Sequence, residues 1–502
     1  MIFELNISSI KRDFSQMKSS CLIKFLIDSK GFKNELNKFL ASKNLEIGNY
    51  LKTKLYKKDA EEIRTYFSDG KPSLLIIRKI DLKKTFESHT DFFRNYLAGS
   101  IQSLEKENID NLQIELPSYE NLKEFFKEED YYYQTCIEGL HLGNYNFNKY
   151  KSDRKKTKKL AVNIAGNSKA ALDRVIDLTG KIMHSVFFTR DLVNEPANTI
   201  TPGSLAKNVR SELNKYKVSA KVMNRTELKK KKMNAILAVG DASDNPPLMI
   251  ILHYKPRVKK NKKIVLVGKG VTYDTGGLSI KPTEGMLEMK ADMAGAAVVA
   301  GTIMSAAQLN IPLEIVGLIP AVENVISGSS YKPGDIIKSY NGKTIEVKNT
   351  DAEGRIILSD ALAYASIYKP DIMIDFATLT GACAVALGLF TAGLFTKDDN
   401  LANNLVNSGE RTHERVWRLP FWDDFNSLIE SDIADVDNLG PRWGGAITAG
   451  KFLENFVEKG IRWVHLDIAG PSVKHKFRNY TEKYDTGYGV RLMTDLLSKL
   501  SE

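Results

Sequence analysis

The sequence predicts an α/β fold of two domains: a smaller N-terminal α/β domain, and a larger C-terminal domain whose central mixed, mostly parallel sheet is covered by helices on both faces. Two observations support this prediction. A chain of 502 residues is too long for one ordinary domain. From about residue 195 onward, short apolar runs alternate with longer runs of helical periodicity, and such alternation is typical of a parallel sheet between two layers of helices.

The smaller domain is predicted to span residues 1–165. Its strand-like runs include Ser73–Ile77 and Leu160–Ile164, and apolar residues with helical spacing occur in Ala60–Phe67 and Glu87–Leu97. No acids, histidines or cysteines in this part have a spacing that predicts chemistry. Its role therefore stays open between oligomer formation and regulation.

Residues 166–194 are predicted to connect the domains, because Ser168–Asn194 is long and amphipathic. This helix should end before Pro196, since proline disfavours helical backbone at the preceding residue. The larger domain then occupies residues 195–502. Its predicted strands are Val218–Met223, Pro247–Tyr254, Ile264–Val267, Leu313–Ile319, a pair around Ile336 and Ile345, Asp371–Ala377 and Trp463–Ile468, and its predicted helices include Ala294–Ala307, Ile356–Tyr368, Gly444–Lys459 and Val490–Leu500.

Composition and charge narrow the class of protein. The net charge is +11 and the isoelectric point about 9.1, which would suit a nucleic-acid surface, but a solvated lysine-rich exterior is the preferred interpretation. Three separated cysteines and an N-terminus without a secretory apolar core favour a reduced, cytoplasmic location. The uncharged segment Ala377–Phe395 is long enough for a membrane helix, but its glycines favour two buried strands joined by a turn.

Charged residues cluster where two predicted strands end. The cluster that follows Ile264–Val267 consists of Lys269, Asp274, Lys281 and Asp292. The second cluster, Asn349–Arg355, follows the strand-like run Thr344–Val347 and precedes a helix-like run. Because ligands bind at the carboxyl ends of strands in open α/β sheets, the two clusters predict one shared site.

The acids of these clusters predict a metal site. They are Asp274, Asp292, Asp351 and Glu353. Clustered carboxylates repel one another and are stable together only with cations, and an oxygen-rich set suits Zn, Mn or Mg. Helix capping is the alternative for Asp292 and Glu353, each of which is close to a predicted helix. Capping does not explain the lysines and glycines at both clusters, so the metal interpretation is preferred.

Two lysines and an arginine extend the chemistry. A lysine that ligates a metal must be neutral, so the metal displaces a proton whose ordinary pKa is about 10.4. A lysine that stays charged can polarise a carbonyl or stabilise an oxyanion, and Lys269 and Lys281 could divide these tasks. Arg355 could hold an anion that carries a proton. Two metal ions roughly 3.5–4 Å apart would bridge an attacking hydroxide and coordinate a free amine.

These motifs resemble those of the cytosol (leucyl) aminopeptidase family. The motifs are VGKG at Val267–Gly270, YDTGG at Tyr273–Gly277, MKAD at Met289–Asp292 and NTDAEGR at Asn349–Arg355. The last of them is highly specific for the family. The resemblance extends from about Thr189 to the end of the sequence, whereas the N-terminal part resembles the family only in position and size.

The resemblance implies a role for each matched residue. Lys269, Asp274, Asp292 and Glu353 would hold the tighter metal ion, and Asp274, Asp351 and Glu353 the exchangeable one. Lys281 would stabilise the oxyanion, and Arg355 would bind a bicarbonate that acts as general base. The matched positions that line the substrate pocket are Met289, Asn349, Thr378, Leu379, Gly381 and Ala469.

The resemblance therefore implies a cytoplasmic, homohexameric aminopeptidase that releases N-terminal leucine and other apolar residues from peptides. It implies two divalent metal ions per subunit, Mn or Zn, with Mg or Co as alternatives. A DNA-binding role stays open because the chain is basic, with lysine runs at Lys151–Lys159, Lys229–Lys232 and Lys259–Lys263. A peptide-binding scaffold without catalysis is disfavoured, because every matched catalytic position is filled.

Overall fold

The computed structural model describes residues 1–10, 20–57, 60–67, 73–83, 90–153, 156–258 and 262–502. These residues form two compact units. The N-terminal unit is Met1–Met183 with Phe477–Tyr480, and the C-terminal unit is His184–Lys476 with Thr481–Glu502. The division falls within the helix Lys169–Asn194, in the region where the sequence predicts a connecting helix.

The N-terminal unit is built on a six-stranded sheet. Its strands are β1 Phe3–Ile10, β2 Cys21–Ile27, β3 Glu62–Tyr66, β4 Leu74–Ile80, β5 Asn111–Glu115 and β6 Lys158–Ala165. Its helices include α1 Phe32–Ser42, α2 Asn49–Tyr56, α3 Phe92–Ser103 and α4 Glu129–Asn144, and α5 is Lys169–Asn194. The strand order is β1-β6-β5-β2-β4-β3, and every pair is parallel except β3 with β4.

The helix predicted at Ala60–Phe67 is wrong, because this segment is strand β3. Along Glu62–Tyr66 the side chains at every second position are more exposed, and Ile63 is buried. The strand pairs antiparallel with β4, and pairing with a distant segment is an interaction that local periodicity does not report. The helix predicted at Glu87–Leu97 corresponds to α3, and residues 84–89 lie outside the described residues.

The C-terminal unit contains a large sheet and a small one. Its strands are β7 Ser219–Met223, β8 Leu248–Tyr254, β9 Lys263–Gly268, β10 Gly270–Asp274, β11 Glu314–Asn324, β12 Ile336–Lys338, β13 Thr344–Glu346, β14 Ile372–Ala377, β15 Thr391–Phe395, β16 Arg415–Arg418, β17 Val436–Asp437 and β18 Arg462–Asp467. Its helices include α6 Pro202–Asn214, α7 Arg225–Lys230, α8 Asn234–Gly240, α9 Thr283–Met286, α10 Ala294–Leu309, α11 Glu353–Ala365, α12 Gly381–Leu387, α13 Asp399–Thr412, α14 Gly445–Glu454 and α15 Val490–Leu500.

The large sheet has nine strands, in the order β16-β15-β18-β14-β9-β11-β8-β7, with β10 paired to β11. The four central strands, β18, β14, β9 and β11, are parallel, while β15 pairs antiparallel with β18, β8 with β11 and β7 with β8. One apolar core joins the sheet to α6, α10, α13 and α15, and a second joins it to α8, α11 and α14. The prediction of a mixed, mostly parallel sheet with helices on both faces is therefore confirmed.

Two local expectations differ from the structure. The strands predicted around Ile336 and Ile345 do form, but they belong to a separate three-stranded sheet, β12-β13-β17. The segment Ala377–Phe395 contains the short helix α12 between β14 and β15, in place of a turn. Among the described residues, the segment with the length and hydropathy of a membrane span is Thr283–Leu309. Its most apolar window is 83% buried, so this is weak evidence for a membrane helix.

A glycine allows close packing beneath the charged clusters. A Cβ at Gly295, in the first turn of α10, would lie 2.1 Å from the carbonyl oxygen of Phe376 and 2.9 Å from the backbone nitrogen of Lys269. We expect Gly295→Ala to lower the free energy of unfolding by about 1–3 kcal/mol, because the helix must move away from the sheet. Thermal unfolding measures this, and Gly203→Ala in α6 is the control, since its nearest neighbour would be 4.0 Å away. Equal melting temperatures for the two variants would contradict the expectation.

Candidate metal centre

The carboxyl ends of the central strands meet at one edge of the large sheet. The register pairs Gly268 of β9 with Phe376 of β14, and Ala377 of β14 with Asp467 of β18. Asp274, the last residue of β10, is paired with the last residue of β11. Lys269 follows β9 directly, so the first charged cluster begins at this edge, as the sequence predicts.

Lys269 connects two of the predicted acids. Its side chain is 4% exposed, and its Nζ lies 2.7 Å from Asp292 Oδ1 and 2.9 Å from Glu353 Oε1. It also donates a hydrogen bond of 3.0 Å to the carbonyl oxygen of Thr378. A Cβ on Gly354 would lie 2.4 Å from Lys269 Cε. The glycine at position 354 therefore lets the start of α11 approach this lysine without displacing its side chain.

Lys281 connects the other two acids. Its Nζ lies 2.8 Å from Asp274 Oδ2 and 2.5 Å from Asp351 Oδ1, and its side chain is 18% exposed. The chain returns to Asp274 through a tight turn in which Gly276 and Gly277 have φ values of +85° and +62°. This left-handed backbone strongly favours glycine, which explains the glycines that follow Asp274.

Three carboxylates from two separate segments of the chain come together. One oxygen each of Asp274, Asp351 and Glu353 lie within 4.8 Å of one another. Glu353 is the first residue of α11, where the partial positive charge of a helix N-terminus stabilises a carboxylate. Capping alone does not account for the other two acids. With the contacts of Lys269 to Asp292, all five predicted metal ligands lie in one cluster.

Burial dominates the electrostatics of this cluster. It raises the pKa of Asp274 and of Asp351, and raises the pKa of Asp292 well above its usual range, against the opposing effect of the lysines. Burial alone would lower the pKa of Lys269 and of Lys281. The surrounding carboxylates have the opposite and larger combined effect, so both pKa values are raised. The cluster therefore strongly favours added positive charge.

The donor set fits divalent metal ions. The four carboxylates of the cluster contact only two ammonium groups, those of Lys269 and Lys281, so negative groups outnumber positive ones. Asp292 Oδ2 is buried and accepts no hydrogen bond from the part of the chain that the structure describes. An oxygen in this state needs a cation or a donor, and carboxylate oxygens are the ligands that Mn, Zn and Mg accept in proteins.

Arg355 lies one turn into α11 and is 6% exposed. Its Nη1 donates a hydrogen bond of 2.9 Å to the carbonyl oxygen of Asn438, while its Nε has no hydrogen-bond partner among the described residues. Burial lowers the pKa of Arg355 to about 10, with Glu353 and Asp467 opposing this change. The guanidinium is therefore protonated at neutral pH and has donors available for an anion.

The comparison with known families agrees with this geometry. Residues 187–494 match the family model described as "Cytosol aminopeptidase family, catalytic domain", which covers more than half of the chain and all of the predicted site residues. The chain belongs to the cytosol aminopeptidase family. It is therefore a metal-dependent enzyme that removes N-terminal residues from peptides.

Curated family members from several bacteria are similar along most of their length. A probable cytosol aminopeptidase of Geotalea uraniireducens is 48% identical over 371 residues, which are 73% of this chain and 75% of that protein. Another, from Persephonella marina, is 44% identical over 440 residues, 86% of each chain. The second match extends well into the N-terminal unit, which contains none of the motifs and resembles the family only in position and size.

Solved structures extend the similarity to the whole chain. A mutant of tomato leucine aminopeptidase has a TM-score of 0.87 at 30% identity, covering 99% of this chain and 97% of that one. A bottromycin maturation enzyme, solved in complex with Mn, has a TM-score of 0.82 at 28% identity, covering 96% and 100%. Both likenesses agree with the α/β architecture described above.

Two of the predicted substrate positions, Thr378 and Asn349, contact acids of the cluster directly. The Thr378 hydroxyl donates to Asp292 Oδ1 at 2.7 Å, and Asn349 Oδ1 accepts the backbone N–H of Asp351 at 2.7 Å. The backbone N–H groups of Leu379 and Ala469 both donate to Asp467 Oδ1, each at 3.2 Å. Most of these positions are partly exposed, as are Met289 and Gly381. They remain predicted substrate residues, and Thr378 and Asn349 also hydrogen-bond the predicted metal ligands Asp292 and Asp351.

Several residues that the sequence did not single out orient the ligands. Asn324, at the end of β11, donates to Asp274 Oδ1 at 2.8 Å and to the carbonyl oxygen of Thr350 at 3.0 Å. Asn438 accepts the N–H of Lys348 at 2.7 Å and donates to the carbonyl oxygen of Asn349 at 2.7 Å. Asn324 ends a strand longer than predicted, so extending that strand would have found it. Asn438 carries no local signal.

Proposed function

We propose that the protein releases leucine and other apolar residues from the N-termini of peptides with two divalent metal ions held by the predicted ligands. The observation that supports this most directly is the approach of Asp274, Asp351 and Glu353 to within 4.8 Å. These acids come from two separate segments, and a lysine contacts each of them. A structural ion pair would need one carboxylate for each lysine, whereas here each lysine meets two.

The five ligands divide between two positions. Lys269, Asp292, Asp274 and Glu353 form the more buried group, which suits a tightly held ion, while Asp351 has a side chain that is 33% exposed, which suits an exchangeable one. When bound, the ions supply a site for the free amine of the peptide, polarise the scissile carbonyl and lower the pKa of a water molecule. Mn or Zn is proposed, and the Mn complex of a similar structure supports Mn.

Lys281 stabilises the oxyanion that forms when the carbonyl is attacked. Its side chain is the more exposed of the two lysines, at 18% against 4% for Lys269. The carboxylates of Asp274 and Glu353 raise its pKa, so it keeps its proton at neutral pH. A positioned ammonium group is well suited to a developing negative charge.

Arg355 binds the anion that moves the proton. We propose bicarbonate, because a small planar anion matches the fork of a guanidinium group and can accept a proton from water. Arg355→Ala should lower kcat roughly 100-fold or more while metal content is retained, since general-base catalysis contributes at about this level. Kinetics with and without added bicarbonate measure this. Arg418→Ala, an arginine on β16 paired with Asp399, is the control.

Two outcomes would separate the role of Arg355 from a structural one. If bicarbonate stimulates the parent enzyme but not Arg355→Ala, the anion site is supported. If Arg355→Ala hydrolyses leucine amide at the parent rate, the assignment is wrong.

Assembly as a homohexamer in the cytoplasm is part of the proposal. The C-terminal unit exposes large aromatic side chains: Trp417 is 64% exposed, Trp422 65% and Trp443 76%. Exposed tryptophans of this kind are enriched where subunits meet. Sedimentation of the purified protein at several concentrations tests the oligomeric state.

DNA binding has no such support. Lys229–Lys232 is exposed at the end of α7. Residues 154–155 and 259–261, which belong to the other two lysine runs, lie outside the described residues. A gel shift at low salt remains the test.

The substrate preference is tested with a panel of aminoacyl amides after metal removal. We expect activity to return with Mn or Zn, and leucine amide to be among the fastest substrates. Hydrolysis that is independent of added metal, or that favours acidic residues, would contradict the proposal.

A further inference from the structure

The N-terminal unit has a cavity of its own at the carboxyl ends of β2 and β5. Its volume is about 470 Å³. Lys24 and Ile27 line it from β2, Glu115 and Leu116 from the end of β5, and Phe39 and Lys43 from α1 and the residue that follows it. Every lining residue belongs to the N-terminal unit, so this cavity is distinct from the metal centre.

The topology of the sheet opens a crevice at this point. From β2 the chain continues through α1, α2 and β3 to β4, on one side of β2. From β5, on the other side of β2, it continues through α4 to β6. The helices α1 and α2 pack on one face and α3 and α4 on the other. Ligands bind where the connections diverge in this way, outside the carboxyl ends of the strands.

A buried carboxylate lies at the base of the cavity. Glu115 is 7% exposed. Its Oε2 lies 3.0 Å from Lys24 Nζ, and its Oε1 lies 3.7 Å from Lys43 Nζ. Oε1 accepts no hydrogen bond within the described parts of the chain. A buried carboxylate oxygen without a donor carries a large desolvation cost, so this oxygen is suited to a ligand that brings an N–H group.

The arrangement of charges selects the ligand. A purely anionic ligand would meet Lys24 and Lys43 favourably but would lie against the Glu115 carboxylate. A purely cationic ligand would meet Glu115 favourably but would lie against the two lysines. A ligand with an ammonium and a carboxylate close together satisfies both, because its ammonium can donate to Glu115 Oε1, which lies 3.7 Å from Lys43 Nζ and therefore beyond hydrogen-bond distance. Its carboxylate would then face the lysines.

We propose that this cavity binds a free α-amino acid. The ammonium group donates to Glu115 Oε1, the carboxylate accepts from Lys24 and Lys43, and the side chain lies against the apolar wall. That wall contains Phe39, Ile27 and Leu116, and Lys24 Nζ already lies over the Phe39 ring, 5.2 Å from its centroid. The proposal does not rest on the aminopeptidase function, because it uses contacts of the N-terminal unit alone.

Calorimetric titration of the full-length, metal-loaded protein with leucine tests the proposal. A second site is expected beside any binding of leucine at the metal centre. Glu115→Gln should remove one site per chain or weaken it at least 10-fold, and should leave leucine amide hydrolysis unchanged. Glu353→Ala should leave that same site intact. Glu120→Gln is the control, since Glu120 is exposed and paired with Lys123 in the same unit.

Analogues that lack one charged group decide the ligand class. N-acetylleucine has no ammonium, 3-methylbutylamine has no carboxylate, and inorganic phosphate is a simple anion. We expect none of the three to bind at this site. Binding of N-acetylleucine or phosphate that Lys43→Met abolishes would show an anion site and overturn the proposal. Leucine binding with the same stoichiometry and the same affinity in the parent, Glu115→Gln and Lys43→Met proteins would also overturn it.

Discussion

Glu353→Ala should remove both the bound metal and the aminopeptidase activity. The Glu353 carboxylate lies 2.9 Å from Lys269 and shares a cluster of 4.8 Å with Asp274 and Asp351. Like Asp274, it belongs to both proposed ligand groups, so its loss affects both proposed ions. We expect kcat/KM to fall by more than about 100-fold, since removing even an outer partner of a metal ligand costs up to that much.

Elemental analysis of the dialysed protein, together with hydrolysis of leucine amide, measures this effect. Glu314→Ala is a matched control, because Glu314 is also a buried glutamate but is the first residue of β11, at the end of that strand away from Asn324 and the metal cluster, where it contacts His253 at 2.9 Å. The control should keep its metal. If Glu353→Ala retains two ions per chain after dialysis, the ligand assignment fails.

Lys281→Met should give the second largest effect, with kcat lowered by about 100- to 1,000-fold. Methionine keeps much of the length of the side chain but removes the ammonium group that lies between Asp274 and Asp351. The expected loss is in kcat more than in KM, because the ammonium group acts on charge that develops during the reaction. Metal content should be retained, since Lys281 is not a proposed ligand.

Steady-state kinetics and metal analysis of the same preparations distinguish a loss of oxyanion stabilisation from a loss of bound metal. Lys348→Met is the control, because Lys348 is also ion-paired in this unit, with Glu346, but is 44% exposed and contacts none of the ligands. If the variant loses its metal along with its activity, the role of Lys281 is to position the metal ligands and not to stabilise the oxyanion. Unchanged kcat would exclude both roles.

Much of the larger domain is predictable because its signals are local. The apolar run at Ile264–Val267 predicts β9 to within a residue at each end, and Val490–Leu500 is helical over the predicted range. The charged clusters follow strands whose carboxyl ends must meet in a parallel sheet, so their convergence follows from the strand order. The division of roles among the ligands remains a prediction.

The features that the sequence does not predict depend on contacts between distant parts of the chain. β3 is a strand because it pairs with β4, and β13 belongs to a separate sheet because it pairs with β12 and β17. Asn438 is 89 residues from Asn349, to which it donates. No periodicity in a short window reports such a partner. The residues that hold the ligands in place are therefore harder to predict than the ligands themselves.

The contacts of Lys269 and Lys281 with two carboxylates each have a consequence for folding and metal binding. Lys269 contacts Asp292, which is 23 residues away in the sequence, and Glu353, which is much farther away. Lys281 connects Asp274 to Asp351. These ammonium groups act as internal counterions that cross-link the loops as soon as the chain has folded. We therefore expect the chain to fold without metal, and the folded enzyme to exchange one divalent ion for another without a change of architecture.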